Sequence, residues 1–104
     1  MNPLQLKLMT DIVNELISVT PEWWKSAVLR LEFKYNGDES SCSHEIHCRE
    51  HVQDIVVATD ELMSATRQLG LAMQDKGRLK SATITVCEDA SGQWSYITDF
   101  AYVS

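Results

Sequence analysis

The sequence predicts an α+β fold: a two-layer sandwich in the order α-β-β-α-β-β, with two helices packed on one face of an antiparallel sheet of four strands, or of five if a short apolar run after residue 49 also pairs. Three observations predict it. Two stretches keep apolar residues at spacings of three and four. Others alternate apolar and polar residues, and turn-forming glycines join those into hairpins. With 104 residues the chain forms a single domain, 1–104, long enough to bury roughly 65% of its unfolded surface.

Asn2-Pro3 opens the first helix, with an N-cap side chain followed by a proline whose missing N–H is not needed there. Leu4, Leu8, Ile12 and Leu16, flanked by Met9, Val13 and Ile17, form its apolar stripe, which stops near Val19 because Pro21 biases Thr20 away from helix. In the first strand Ala27, Leu29, Leu31, Phe33 and Tyr35 alternate with Arg30, Glu32 and Lys34, so one face is wet. Extending that parity backwards puts Trp23 in the core and Trp24 on the open face beside Val28. Asn36-Gly37 suits a type I′ turn and leads into a second strand at about Glu39 to Cys48.

From Arg49 to Ala58 the pattern fits a helix or a short strand at Ile55-Val56-Val57, and the segment is read as a loop. Thr59 is the N-cap of the second helix, with Asp60 and Glu61 favourable to its dipole. Leu62, Ala65, Thr66, Leu69, Ala72 and Met73 continue helical spacing up to Gly77, a residue suited to a left-handed helix end. Gly70 lies inside and is read as permitting close approach by the first helix. The final hairpin alternates Ala82, Ile84 and Val86 with a return strand of Trp94, Tyr96, Thr98, Phe100 and Tyr102 facing the helices; Asp89, Ser91 and Gly92 form the turn. The opposite face then carries Arg30, Glu32, Lys34, Ser43, Glu45, His47, Thr83, Thr85, Ser95, Ile97 and Asp99.

Fifteen acidic against nine basic side chains give a net charge of −6, which repels nucleic acid and anionic membranes and favours a basic protein partner. Met1 to Val19 lacks the basic start and unbroken apolar block of a signal peptide, so the chain is expected in the cytoplasm with Cys42, Cys48 and Cys87 reduced. The cluster Cys42, His44, His47, Cys48 and His51 invites a metal. Along a strand, however, the two same-face sulfurs stand about 20 Å apart at roughly 3.3 Å per residue. Two thiolates on one zinc lie within about 4.6 Å, so no metal or other cofactor is expected. Cys42 and His44 share a face, but a thiol in an apolar layer is inert, and no glycine-rich phosphate loop or nucleophile elbow occurs, so no catalytic residue is assigned and no enzyme is expected.

The helix ending in P-x-W-W, the strand AVLRLEFKY with its Asn-Gly turn, the second helix ending in glycine, A-T-I-T-V, a Gly turn and D-F-A-Y together resemble the YezG-like immunity proteins of bacterial polymorphic toxin and contact-dependent growth inhibition systems. The resemblance covers nearly the whole chain and falls on Trp23 or Trp24, Gly77, Ala82, Ile84, Val86, Gly92, Phe100 and Tyr102. It implies a small cytosolic protein that neutralises one cognate toxin, commonly a nuclease, by tight binding; these core and turn positions do not locate the interface. A nuclease cleft is basic, so outward carboxylates are the expected contacts: Asp38, Glu39, Glu45, Glu88, Asp89 and Asp99, with Thr85 on the same face and Trp24 as apolar anchor. The alternative expectation is a small adaptor or homo-oligomerisation module in which a hairpin edge pairs with another chain and no toxin is involved.

Overall fold

The structure, a computed structural model, describes residues 2–21, 24–37, 39–48, 55–73 and 77–103. Its elements are α1 (Pro3–Val19), β1 (Ser26–Asn36), β2 (Glu39–His47), β3 (Ile55–Val56), α2 (Asp60–Ala72), β4 (Leu79–Glu88) and β5 (Trp94–Tyr102). All strands pair antiparallel in the order β3-β2-β1-β4-β5. The expected α-β-β-α-β-β sandwich is therefore present, with a two-residue edge strand added where the sequence reads as a loop.

Strand β1 is central. Leu29 pairs with Ile46 on one side and Ile84 on the other, Leu31 with His44 and Ala82, and both leucines are fully buried. Met9, Ile12 and Leu16 of α1 and Leu62 and Leu69 of α2 complete the core with them. The residues expected on the opposite face keep the complementary parity. That face is not uniformly wet, because Val28 is only 8% exposed.

The inner face of β5 is covered incompletely. Trp94, Thr98, Phe100 and Tyr102 are half-buried and Tyr96 is 39% exposed.

The helix ends are held by side chains. Asn2 Oδ1 accepts from Gln5 N–H at 2.8 Å, and Gln5 Oε1 accepts from Asn2 N–H at 3.1 Å, a capping box at the start of α1. The same Gln5 amide donates through Nε2 to the Ala72 carbonyl at 2.7 Å, so one buried side chain joins the start of α1 to the end of α2. Thr59 caps α2 as expected, accepting from Leu62 N–H at 3.1 Å. Three readings change. Helix α2 stops at Ala72, where Gln5 takes a terminal carbonyl, and not at Gly77; Gly77 does have positive φ, +111°, but just before β4. Gly70 admits β1 and not α1, since a Cβ there would lie 2.8 Å from Phe33 Cε1. Trp24 is 1% exposed and belongs to the core: it precedes β1, and its N–H closes a turn to the Pro21 carbonyl at 3.0 Å, so strand parity does not extend back to it. Trp23 lies outside the described residues.

Gln5 supplies the sharpest stability prediction. Gln5→Ala leaves Asn2 N–H and the Ala72 carbonyl without that amide and should lower unfolding free energy by about 1–3 kcal/mol in urea denaturation. An unchanged midpoint would show that the bridge contributes nothing.

Candidate functional site

The sequence-predicted contacts separate into two ends and one face. Asn36 and Glu39 pair at the β1–β2 turn, whereas the Glu88 N–H donates to the Lys25 carbonyl at the opposite end of β1. Eleven residues of strand separate these ends, about 36 Å at roughly 3.3 Å per residue. One compact cleft cannot span both. Asp38 lies outside the described residues.

At the β4–β5 turn both acids have local duties. Glu88 Oε1 lies 3.7 Å from Lys25 Nζ, with the carboxylate side chain 20% exposed. Asp89 Oδ1 accepts from Ser91 N–H at 2.9 Å, Ser91 O–H at 2.6 Å and Gln93 N–H at 2.9 Å. The Ser91 hydroxyl, ahead of the backbone donors, holds this carboxyl below its ordinary value. Asp89 therefore builds the turn in which Gly92 takes φ +85°.

On the open face, Glu45 stands opposite Arg30, and Arg30 opposite Thr83, whose β5 partner is Asp99. Glu45 also approaches His47 Nδ1 at 3.8 Å. Glu32 and Lys34 lie on the same face. Positive and negative charges thus interleave there. Thr85 is half-buried between Val28 and Ile97.

Carboxylates gather elsewhere, where the two helices meet. Asp11 and Glu15, four apart on α1, and Asp60 and Glu61, in the first turn of α2, line a groove of about 670 Å³, with Lys7 as its basic lining residue. The lysine approaches Asp11 at 3.9 Å, both groups being exposed, a pairing worth little in water. Glu15 Oε2 accepts from the Thr59 hydroxyl at 3.3 Å, which places this acid beside the α2 N-terminus. The sequence marks Asp60 and Glu61 as acids at the start of the second helix and gives no such mark to Asp11 and Glu15. Their i,i+4 spacing along the flank of the apolar stripe is the available signal; helix packing brings the pairs together.

A second groove, about 570 Å³, lies between α2 and the β1–β2 hairpin and includes Phe33, Cys42, His44, Met63, Arg67 and Leu71. Burial pushes the Cys42 thiol up to about 11, so it is protonated and a poor nucleophile at neutral pH. His44 Nε2 and the Thr66 hydroxyl are 2.6 Å apart, and that hydroxyl donates to the Met63 carbonyl at 2.9 Å. Desolvation lowers the His44 pKa and keeps the ring neutral at pH 7. This groove has aromatic and thiol walls but no activated nucleophile. Among the described residues no group of three His, Cys, Asp or Glu side chains is placed to hold a metal; His51 lies outside them.

No protein-family model and no curated protein matches the sequence. No described helix is long and apolar enough to cross a membrane.

The Asp89 turn sets a pH dependence with a definite sign. A lowered folded pKa stabilises the fold above the ordinary aspartate value, 3.8, and that contribution is lost as pH falls through the folded value. The melting temperature of Asp89→Ala should therefore lie below that of the parent at pH 7, with the gap closing below pH 3.8. A gap that persists unchanged in strong acid would assign the effect to something other than the ionised carboxylate.

Proposed function

We propose that this chain is a non-enzymatic immunity protein of the YezG-like kind, which binds a basic toxin, a nuclease domain, and neutralises it by presenting carboxylates to its cleft. The observation that carries the reading is the grouping of Asp11, Glu15, Asp60 and Glu61 around the α1–α2 groove against Lys7. The net charge of −6 and the resemblance along the chain support it. A nuclease holds its polyanion with basic groups, and a concave acidic surface competes for the same groups. Asp11 and Glu15, one helical turn apart, put their Cβ atoms about 5–6 Å from each other on one side of the groove. Glu45 and Asp99 on the open face supply weaker, salt-sensitive contacts because Arg30 lies in the same row. The cytoplasm is the compartment this function requires.

Four substitutions test the reading: Asp11→Asn, Glu15→Gln, Asp60→Asn and Glu61→Gln combined, titrated calorimetrically against the product of the adjacent reading frame, which the reading requires to be a basic toxin domain. The expected result is at least about 100-fold weaker binding with a shallower dependence on salt. The pair Glu45→Gln, Asp99→Asn should change affinity less than about tenfold. Removing Asp60 and Glu61 from the first turn of α2 costs about 0.3–1 kcal/mol each, so folding is checked by circular dichroism first. If the folded fourfold variant binds as tightly as the parent with the same salt dependence, the acidic-groove mechanism is wrong.

A further inference from the structure

Strand β5 ends the sheet, and the hydrogen-bond parity defines what its outer edge presents. Glu88 N–H donates to the Lys25 carbonyl at 2.8 Å, and Asp89 N–H to the Gln93 carbonyl at 2.9 Å. Bonded pairs recur at every second residue of an antiparallel ladder. The first bond therefore assigns Val86, Ile84 and Ala82 of β4 to β1. The second assigns Cys87, Thr85 and Thr83 to β5, where their partners are Ser95, Ile97 and Asp99. The even-numbered residues of β5, Trp94, Tyr96, Thr98, Phe100 and Tyr102, consequently aim their N–H and C=O groups away from the sheet. The same residues carry the incompletely covered inner face.

Nothing in the strand protects this edge. It runs nine residues, WSYITDFAY, without proline or lysine, and Asp99 is its one charged residue. Ile97 is 72% exposed. Long, apolar, unprotected edges pair with other strands.

We propose that this edge is a homodimer interface, in which two copies join β5 to β5 antiparallel about a two-fold axis at Thr98. The sequence is self-complementary in that register. Thr98 meets its own counterpart, Tyr96 meets Phe100 of the second copy, and Trp94 meets Tyr102. Both kinds of aromatic pair occur twice, and such cross-strand pairs stabilise sheets. Asp99 falls opposite Ile97, so like charges do not face each other directly. A register slipped by two residues puts Ile97 or Asp99 opposite itself, pairs Tyr96 or Phe100 with Thr98, and leaves Tyr102 or Trp94 beyond the ladder, so only one kind of aromatic pair survives. Five bonded rungs with two backbone hydrogen bonds each make about ten, the usual number in a specific interface. Two chains of net charge −6 repel, so salt should strengthen the association. The dimer leaves the α1–α2 groove on each copy and does not depend on the toxin reading.

Sedimentation equilibrium of the full chain, from micromolar to near-millimolar concentration at low and high salt, tests this. The expected result is a monomer–dimer equilibrium that tightens with salt. Thr98→Pro removes an N–H that points away from β4, so the β4–β5 ladder survives, and Thr98→Lys sets two ammonium groups face to face. Each should weaken dimerisation at least about 100-fold while circular dichroism stays that of the parent. Amide exchange of the parent supplies an arm that needs no variant: Tyr96, Thr98 and Phe100 should gain protection as concentration rises. A parent that stays monomeric throughout, a dimer that persists in both folded variants, or protection at these amides independent of concentration would each overturn the proposal.

Discussion

The buried leucines of β1 are the constraint on which the rest of the molecule depends. Leu29 and Leu31 are fully buried beneath two helices and paired on both sides, with Ile46 and His44 across β2 and Ile84 and Ala82 across β4. A one-residue slip would turn both leucines to water and bring Arg30 and Glu32 inward, so both registers are held by the same apolar contacts. Every other face assignment inherits that choice, including the interleaved charges outside and the thiol and imidazole inside.

The same register divides backbone hydrogen bonds as well as side chains. Strand β4 gives alternate residues to β1 and β5, and the edge groups of β5 follow from that division. A core built around a central strand therefore has two structural consequences at a distance. It holds one set of carboxylates apart at opposite ends of the sheet, and it leaves β5 as an edge strand at one margin. The helices contribute the third consequence by meeting with Asp11 and Glu15 beside Asp60 and Glu61.

Periodicity was a good guide wherever one element packs on one core. The alternation of β1, β4 and β5 and the stripes of both helices correspond to observed faces, and Asn2 and Thr59 cap as their chemistry requires. It misled at Trp24, because the turn closed on Pro21 breaks the parity before β1 begins. Helix α2 ends at Ala72, short of Gly77, and its last carbonyl accepts from Gln5, 67 residues away in the chain. No local pattern reports such a bond. Asp89 carried a local signal, since Asp-x-Ser with a following glycine is turn chemistry, and its oxygen is engaged within the turn. The acidic groove was half legible, as two pairs each visible on its own helix whose meeting depends on how α1 and α2 pack.

The central claim of the proposal is that the helical side of the sandwich meets the basic partner. Carboxylate density favours the helical side, where four acids line one groove. Backbone amide shift mapping by NMR, adding the product of the adjacent reading frame, which the proposal requires to be a basic toxin domain, to the labelled protein, tests that claim most directly. Perturbations concentrated at residues 7–15 and 60–68, with the outer-face residues of β1 and β2 unmoved, are the predicted result. Perturbations confined to the sheet's outer face, or no shifts at all, would contradict it.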